Sequence, residues 1–108
     1  MAARDVTARI VTIWWRDIPT QVNAQSGRDR YQALLPRRFQ RAVDEAATAA
    51  GLTQASDYVA EWRRTSEPHA GPATADALQA AADAAAARFD TDYPKERLVE
   101  LARNGGVA

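Results

Sequence analysis

Five arginines near the middle of the chain are the side chains best suited to bind an anion. Two of them, Arg28 and Arg30, precede a predicted strand, and the other three lie in the first turns of the helix predicted after it: Arg37, Arg38 and Arg41. Cations in the first turns of a helix oppose its dipole. A phosphate, a carboxylate ligand or an acidic residue of a partner would relieve that conflict. The alternative is a solvated helix face on which Arg41 pairs with Asp44 and Glu45.

Trp14, Trp15 and Arg16 form a second candidate site, suited to a protein partner. Consecutive residues of a strand point to opposite faces, so one of the two indoles can be an exposed anchor at an interface. Arg16 follows at the end of the strand, where a binding loop could begin. The alternative is that both indoles are buried, one under each layer.

The sequence offers little that could do catalysis. It has 108 residues with no Cys and a single His, which excludes thiolate chemistry, disulfides and metal sites built from Cys or several His. His69 lies in a predicted loop, without a Ser or carboxylate at a triad spacing. There is no glycine-rich phosphate loop, dinucleotide fingerprint or nucleophile elbow. The sequence therefore favours a protein that is not an enzyme in its own right, with no metal and no cofactor.

Charge and hydropathy restrict the partners. The 14 basic and 14 acidic side chains balance, which argues against a nucleic-acid-binding protein. The N-terminal residues 1–5 are polar and contain no apolar stretch for a signal peptide or membrane anchor. We therefore predict a cytoplasmic protein that binds neither nucleic acid nor membrane.

Residues 9–15 give the clearest strand prediction, because they are rich in β-branched and aromatic side chains. Both faces of this strand are largely apolar, which predicts a central position in a sheet. This strand is expected to end at Asp17, Ile18 and Pro19. Shorter strands are predicted at residues 21–24 and 31–35, the latter stopped by Pro36.

Helical periodicity takes over after Pro36. Apolar residues at helical spacing predict a helix that ends at Gly51, and a second helix from about Ala55 that includes Trp62. Residues 65–72 are predicted to form a loop. Thr74 is a good N-cap for a long Ala-rich helix ending near Phe89, and a last helix follows it.

The predicted fold class is α+β: a small two- or three-stranded antiparallel sheet followed by about four helices. Residues 1–108 are expected to form a single domain. Within it, residues 1–64 would form a core of strands and helices, and residues 73–108 an Ala-rich helical part. The smooth Ala face would also allow a homodimer.

Three blocks of the sequence resemble the virulence factor domain family. They are IVTIWWRDIPTQV at residues 10–22, LPRRFQRAVD at 35–44 and YVAEWRR at 58–64, with a looser continuation at 88–89 and 93–98. The domain resembles a segment of conserved virulence factor C, and it also occurs as short stand-alone bacterial proteins. The resemblance implies no catalytic residues, because the family label describes a phenotype and not a reaction.

The resemblance also implies an association with corrinoid- and folate-dependent one-carbon enzymes, beside whose genes stand-alone members occur. We therefore predict an interaction module or accessory subunit of a larger enzyme. The alternative is a binder of a small anionic metabolite or cofactor that uses the arginine cluster at the helix N-terminus.

Overall fold

The computed structural model describes residues 8–52 and 54–108, and in that part of the chain it contains four strands and four helices. The strands are β1 (Arg9–Trp15), β2 (Ile18–Ser26), β3 (Asp29–Leu34) and β4 (Trp62–Pro68). The helices are α1 (Arg37–Ala49), α2 (Ala55–Val59), α3 (Ala75–Asp92) and α4 (Lys95–Arg103). The α+β class and the number of helices are as predicted. The polar residues 1–5, on which the cytoplasmic prediction rests, lie outside the described residues.

The strands form one antiparallel sheet in the order β3-β2-β1-β4. Two-residue turns connect β1 to β2 and β2 to β3. The first turn places Arg16 at a φ of +51° and the second has Gly27 at +59°. β1 is an interior strand, which confirms the position predicted from its two apolar faces.

β2 is longer than predicted, because the break expected at residues 17–19 is only a two-residue turn. Pro19 lies inside the strand, opposite Trp14, where the register shifts between Ile13 and Trp14. The hydroxyl of Thr20 donates a hydrogen bond to the carbonyl of Ile13 at 2.8 Å. Such an irregularity leaves one residue out of the ladder, and a proline without an N–H is tolerated there.

β4 corrects two predictions. Residues 62–68 form a strand, where the sequence predicted the end of a helix and the start of a loop. The sheet therefore has four strands instead of two or three, and its last strand follows α1 and α2. β4 pairs with β1 along its length, from Trp15 opposite Trp62 to Arg9 opposite Pro68. Only α2, five residues long, remains of the helix predicted from Ala55.

α3 packs across one face of the sheet. Its small and aliphatic residues Leu78, Ala82 and Ala85 are buried against Val22 and Ala24 of β2. The hydroxyl of Thr74 accepts a hydrogen bond from the N–H of Ala77 at 3.2 Å, which confirms the predicted N-cap.

A second core lies where β1 ends and β2 begins. Trp15 and Ile18 are buried there with Phe39 and Val43 of α1 and Leu98 of α4. This core holds α1 and α4 against the end of the sheet. Three of the four helix predictions, those for α1, α3 and α4, are confirmed.

Candidate functional site

The face of the sheet opposite α3 carries the candidate site. The register places Ile13 of β1 between Gln21 of β2 and Arg64 of β4, and Gln21 in turn pairs with Leu34 of β3. Side chains of directly opposed residues point to the same side of a sheet. One row of this face therefore combines two aliphatic side chains, an amide and a guanidinium.

Two adjoining cavities open along this row. The first has a volume of about 440 Å³ and is lined by residues of the four strands alone, among them Arg30, Asn23 and Arg64. The second, of about 450 Å³, reaches the N-terminus of α1 at Arg37. Both cavities share one set of lining residues: Ile13, Gln21 and Trp62. We call the combined depression the Trp62 groove.

The apolar part of the Trp62 groove is accessible to solvent. Leu34 is 69% exposed, the highest value among the large exposed aliphatic side chains of the described residues. Trp62 is half-buried, and its ring meets that of Tyr58 edge-to-face with centroids 6.0 Å apart. Tyr58 also lies against Trp15 at 5.6 Å. The core thus fixes the orientation of Trp62 while leaving part of its ring in the groove.

The charged rim of the groove is positive. Arg30, Arg37 and Arg64 are exposed, and no carboxylate of the described residues forms an ion pair with them. Two amides of β2 each have a buried polar atom, and one of them, Asn23, lines the groove. Asn23 is 3% exposed and its Oδ1 accepts no hydrogen bond from the described residues, nor does Nε2 of Gln25 donate one to them. A buried amide without a partner is costly.

The five predicted arginines do not converge on one site. Arg30 and Arg37 line the groove, while Arg38 and Arg41 line a different cavity of about 330 Å³ beside α4. Arg28 lies in the β2–β3 turn, at the opposite end of β3 from α1. The length of β3 separates these ends by about 17 Å.

Arg38 explains how the helix tolerates its basic N-terminus. Its guanidinium donates to the carboxylate and the main-chain carbonyl of Asp90, and to the carbonyl of Tyr93 at 3.1 Å. Asp90 of α3 therefore supplies negative charge at the N-terminus of α1, where a ligand or partner was predicted to do so.

The structure places Trp14, Trp15 and Arg16 in different surroundings. Trp15 is fully buried, and its Nε1 donates to the carbonyl of Tyr58 at 2.9 Å. Trp14 is half-buried, with Phe89 edge-to-face at 5.5 Å and the guanidinium of Arg63 over its ring at 4.9 Å. Trp15 therefore cannot be an exposed anchor, whereas the half-buried Trp14 stays a predicted interface residue.

Arg16 has a structural role. Its Nε donates to the carboxylate of Glu61 at 2.8 Å, and its Nη1 donates to the carbonyl of Gly105 at 3.0 Å. The residue thereby joins the β1–β2 turn to the start of β4 and to the turn after α4.

Trp62 is the central groove residue that the sequence did not predict, and the groove residues Gln21, Leu34 and Arg64 were not predicted either. Its spacing from Tyr58 matches one turn of a helix and therefore predicts a helix face. The aromatic side chain of Trp62 is the one feature of the sequence that favours a strand there. It identifies a strand only once Trp62 is seen to pair with Trp15.

The remaining chemistry-bearing groups lie apart from the groove. A ring nitrogen of His69 lies 3.1 Å from the carbonyl oxygen of Pro72. Across residues 8–52 and 54–108, no three His, Asp or Glu side chains are grouped for a metal ion. In the same ranges no helix has the length and apolarity needed to cross a membrane.

Comparison with known proteins gives one match. A family model with the description "virulence factor" matches residues 13–102, a span that begins at Ile13 of the groove and contains Trp62 and all three rim arginines. The match agrees with the resemblance found in the sequence. No curated protein and no solved structure matches the chain.

Proposed function

The chain belongs to the virulence factor family, and we propose that it is a small docking module that binds a partner protein through the Trp62 groove. The family description names no reaction, substrate or partner. Support for the proposal therefore comes from the chemistry of the groove.

One observation carries the proposal: an anchored Trp, an exposed Leu and two arginines share one face of the sheet, and a third arginine lies beside them at the N-terminus of α1. Tryptophan and arginine are the residues most enriched among those that dominate binding energy at interfaces. Trp62 is held by Tyr58, so little side-chain entropy is lost when a partner covers it. The partner that fits is a segment with an apolar side chain flanked by Asp or Glu.

The groups that line the groove favour binding over proton transfer. Arginine stays protonated at any physiological pH, and the amides of Gln21 and Asn23 do not titrate. Hydrogen-bond donors and fixed positive charge are what these side chains supply. That chemistry suits an accessory subunit. The proposal includes that this subunit acts in the cytoplasm and binds a larger enzyme of one-carbon metabolism.

Affinity capture with a matched variant tests the proposal. The wild-type chain, Trp62→Ala, Arg64→Glu and the control Arg103→Glu would each be used as bait in cell extract, with quantitative mass spectrometry of the captured proteins. Arg103 is exposed at the end of α4, away from the groove. We expect a partner protein that Arg103→Glu captures in the same amount as the wild-type chain does. Both groove variants should capture at least 10-fold less of it. A partner retained equally by all four baits, or no partner at native abundance, contradicts the proposal.

A small anionic ligand is the second candidate function. The strand-lined cavity of about 440 Å³ is within the size range of small-molecule sites, and it combines Arg30 and Arg64 with the amides of Gln21 and Asn23. The test is a thermal-shift screen with phosphate, folate and corrinoid. A ligand at 100 times its Kd stabilises the folded chain by about 2.7 kcal/mol. A shift that Arg30→Ala abolishes supports this candidate, and no shift with any of the three counts against it.

A further inference from the structure

β4 is an edge strand of the sheet, and every residue in it after Trp62 is exposed. The hydrogen bonds at its two ends show which backbone groups it leaves unused. The N–H of Arg16 donates to the carbonyl of Glu61 at 3.1 Å, and the N–H of His69 donates to the carbonyl of Ala8 at 2.8 Å. In an antiparallel pair, the residues that bond to one neighbour alternate with those that face away. The main-chain N–H and C=O groups of the odd-numbered residues from 61 to 69 therefore point toward β1.

The main-chain N–H and C=O groups of the even-numbered residues of β4 point outward, away from β1 and into solvent. Trp62, Arg64 and Ser66 each present an N–H and a C=O outward, and Pro68 presents only its C=O. Such a row of groups is a template for another strand. Pro68 is at an outward position, so its missing N–H costs the sheet nothing.

We propose that β4 pairs antiparallel with β4 of a second copy of this chain, with the two Thr65 residues facing each other at the two-fold axis. The main-chain N–H of Arg64 then donates to the carbonyl of Ser66 of the other copy, and the N–H of that Ser66 donates to the carbonyl of Arg64. Trp62 donates to the carbonyl of Pro68, the one outward residue with no N–H to offer. Every outward N–H of both copies has an acceptor in this register.

Charge also selects this register. Centred on Thr65, it places Arg63 opposite Glu67 of the other copy, twice. A register centred on Arg64 would oppose two like charges, which destabilises a strand pair. A register centred on Ser66 would place Arg64 opposite Pro68 and lose hydrogen bonds. Within the described residues Glu67 has no ion-pair partner. Arg63 pairs with Asp17 through Nη2 at 3.3 Å, and its Nη1, which makes no hydrogen bond there, is the donor left for Glu67 of the other copy.

The pairing has a defined geometry. A two-fold axis that makes strands antiparallel is perpendicular to the sheet, so both α3 helices lie on one side and both Trp62 grooves on the other. The dimer has a continuous eight-stranded sheet and leaves each groove open. Partner binding uses side chains of the groove, whereas dimer formation uses the outward main chain of β4. Substitutions at Thr65 and Glu67, which do not line the groove, therefore test the dimer separately from the proposed function.

Cysteine cross-linking tests the register directly, because the natural sequence has no Cys. In the proposed pairing Thr65 is a non-hydrogen-bonded pair with its copy, for which the Cα–Cα distance of about 4.5 Å permits a disulfide. We expect Thr65→Cys to form a covalent dimer on mild oxidation. The matched control Glu67→Cys should not, since its two thiols would lie about 13 Å apart along the strands. Equal cross-linking of both variants, or none with Thr65→Cys, overturns the proposal.

Charge exchange gives a second, non-covalent test by sedimentation equilibrium. We expect the wild-type chain to dimerise, and Glu67→Arg and Arg63→Glu each to raise the dimer Kd at least 10-fold. In a mixture of these two variants, every pair at the interface again has opposite charges, so a heterodimer should form. Circular dichroism establishes that both variants are folded. A monomeric wild-type chain, or a mixture that stays monomeric, contradicts the pairing.

Discussion

Gly106 lies directly against the indole of Trp15. A β-carbon placed on Gly106 would come within 2.9 Å of Cζ3 of that ring. The carbonyl of the same glycine accepts the N–H of Asp17 at 2.9 Å, in the β1–β2 turn. The turn after α4 therefore closes the core around Trp15, and its φ of +88° is one that glycine adopts without strain.

We predict that Gly106→Ala destabilises the fold more than Gly51→Ala does. Both glycines have positive φ, so both substitutions carry a similar backbone strain. A β-carbon on Gly51 would meet nothing within 4 Å, whereas one on Gly106 collides with Trp15. The free energy of unfolding, from urea titration, should be lower in Gly106→Ala by a further ~1–3 kcal/mol. Equal losses would show that the contact with Trp15 is not tight.

The two adjacent tryptophans should differ in their contribution to stability. Trp15 is fully buried and hydrogen-bonded to Tyr58, so Trp15→Ala should cost about 3–5 kcal/mol. Trp14 is half-buried, and Trp14→Ala should cost clearly less, although it loses the edge-to-face contact with Phe89. Urea unfolding followed by circular dichroism measures both. An equal or larger loss for Trp14→Ala would contradict the assignment of Trp15 to the core.

Leu34 and Leu35 make a matched pair for separating binding from folding. Leu35 is 9% exposed and Leu34 is 69% exposed. Leu35→Ala should lower the free energy of unfolding by about 2–5 kcal/mol. Leu34→Ala should change it by less than ~0.5 kcal/mol and still weaken capture of the groove partner. Unchanged capture by Leu34→Ala would remove this residue from the proposed interface.

The Arg38–Asp90 ion pair should contribute a small, salt-sensitive coupling. Both side chains are partly exposed, and such pairs couple by about 0.2–1 kcal/mol in double-mutant cycles. The cycle Arg38→Ala and Asp90→Ala, followed by urea unfolding, should give a coupling that decreases in 1 M NaCl. Arg41→Ala, which removes an arginine of the same helix, is the control and should show no coupling to Asp90. Zero coupling at low salt would leave the basic helix N-terminus without a counter-charge.

The sequence was most informative where apolar residues repeat. β1 is β-branched and aromatic on both faces, and α1 has a continuous buried row that includes Phe39 and Val43. These patterns reflect which side chains are buried, and the same buried side chains hold β1, α1, α3 and α4 in place. The expected break at Pro19 was wrong because a shift of register in the ladder accommodates the proline.

β4 could not be predicted from its own residues. Its sequence WRRTSEP has one β-branched residue and no alternation of apolar and polar side chains. Its conformation is set by pairing with β1, a tertiary contact that outweighs local propensity. The site depends on the same pairing, because β4 brings Trp62 and Arg64 beside Ile13. Proximity along the sequence was misleading for the five arginines, since β3 separates Arg28 from α1.

The connection of β4 to β1 also determines when the binding surfaces come into existence. β1, β2 and β3 are joined by two-residue turns and can pair early, whereas Trp62 pairs with Trp15 only after α1 and α2 have brought the chain back. Closing so long a loop is slow compared with forming a hairpin. We therefore expect β4 to be the last strand to join the sheet during folding. A chain still folding would then present neither the completed groove nor the β4 edge, so that only the finished fold can recruit a partner or a second copy.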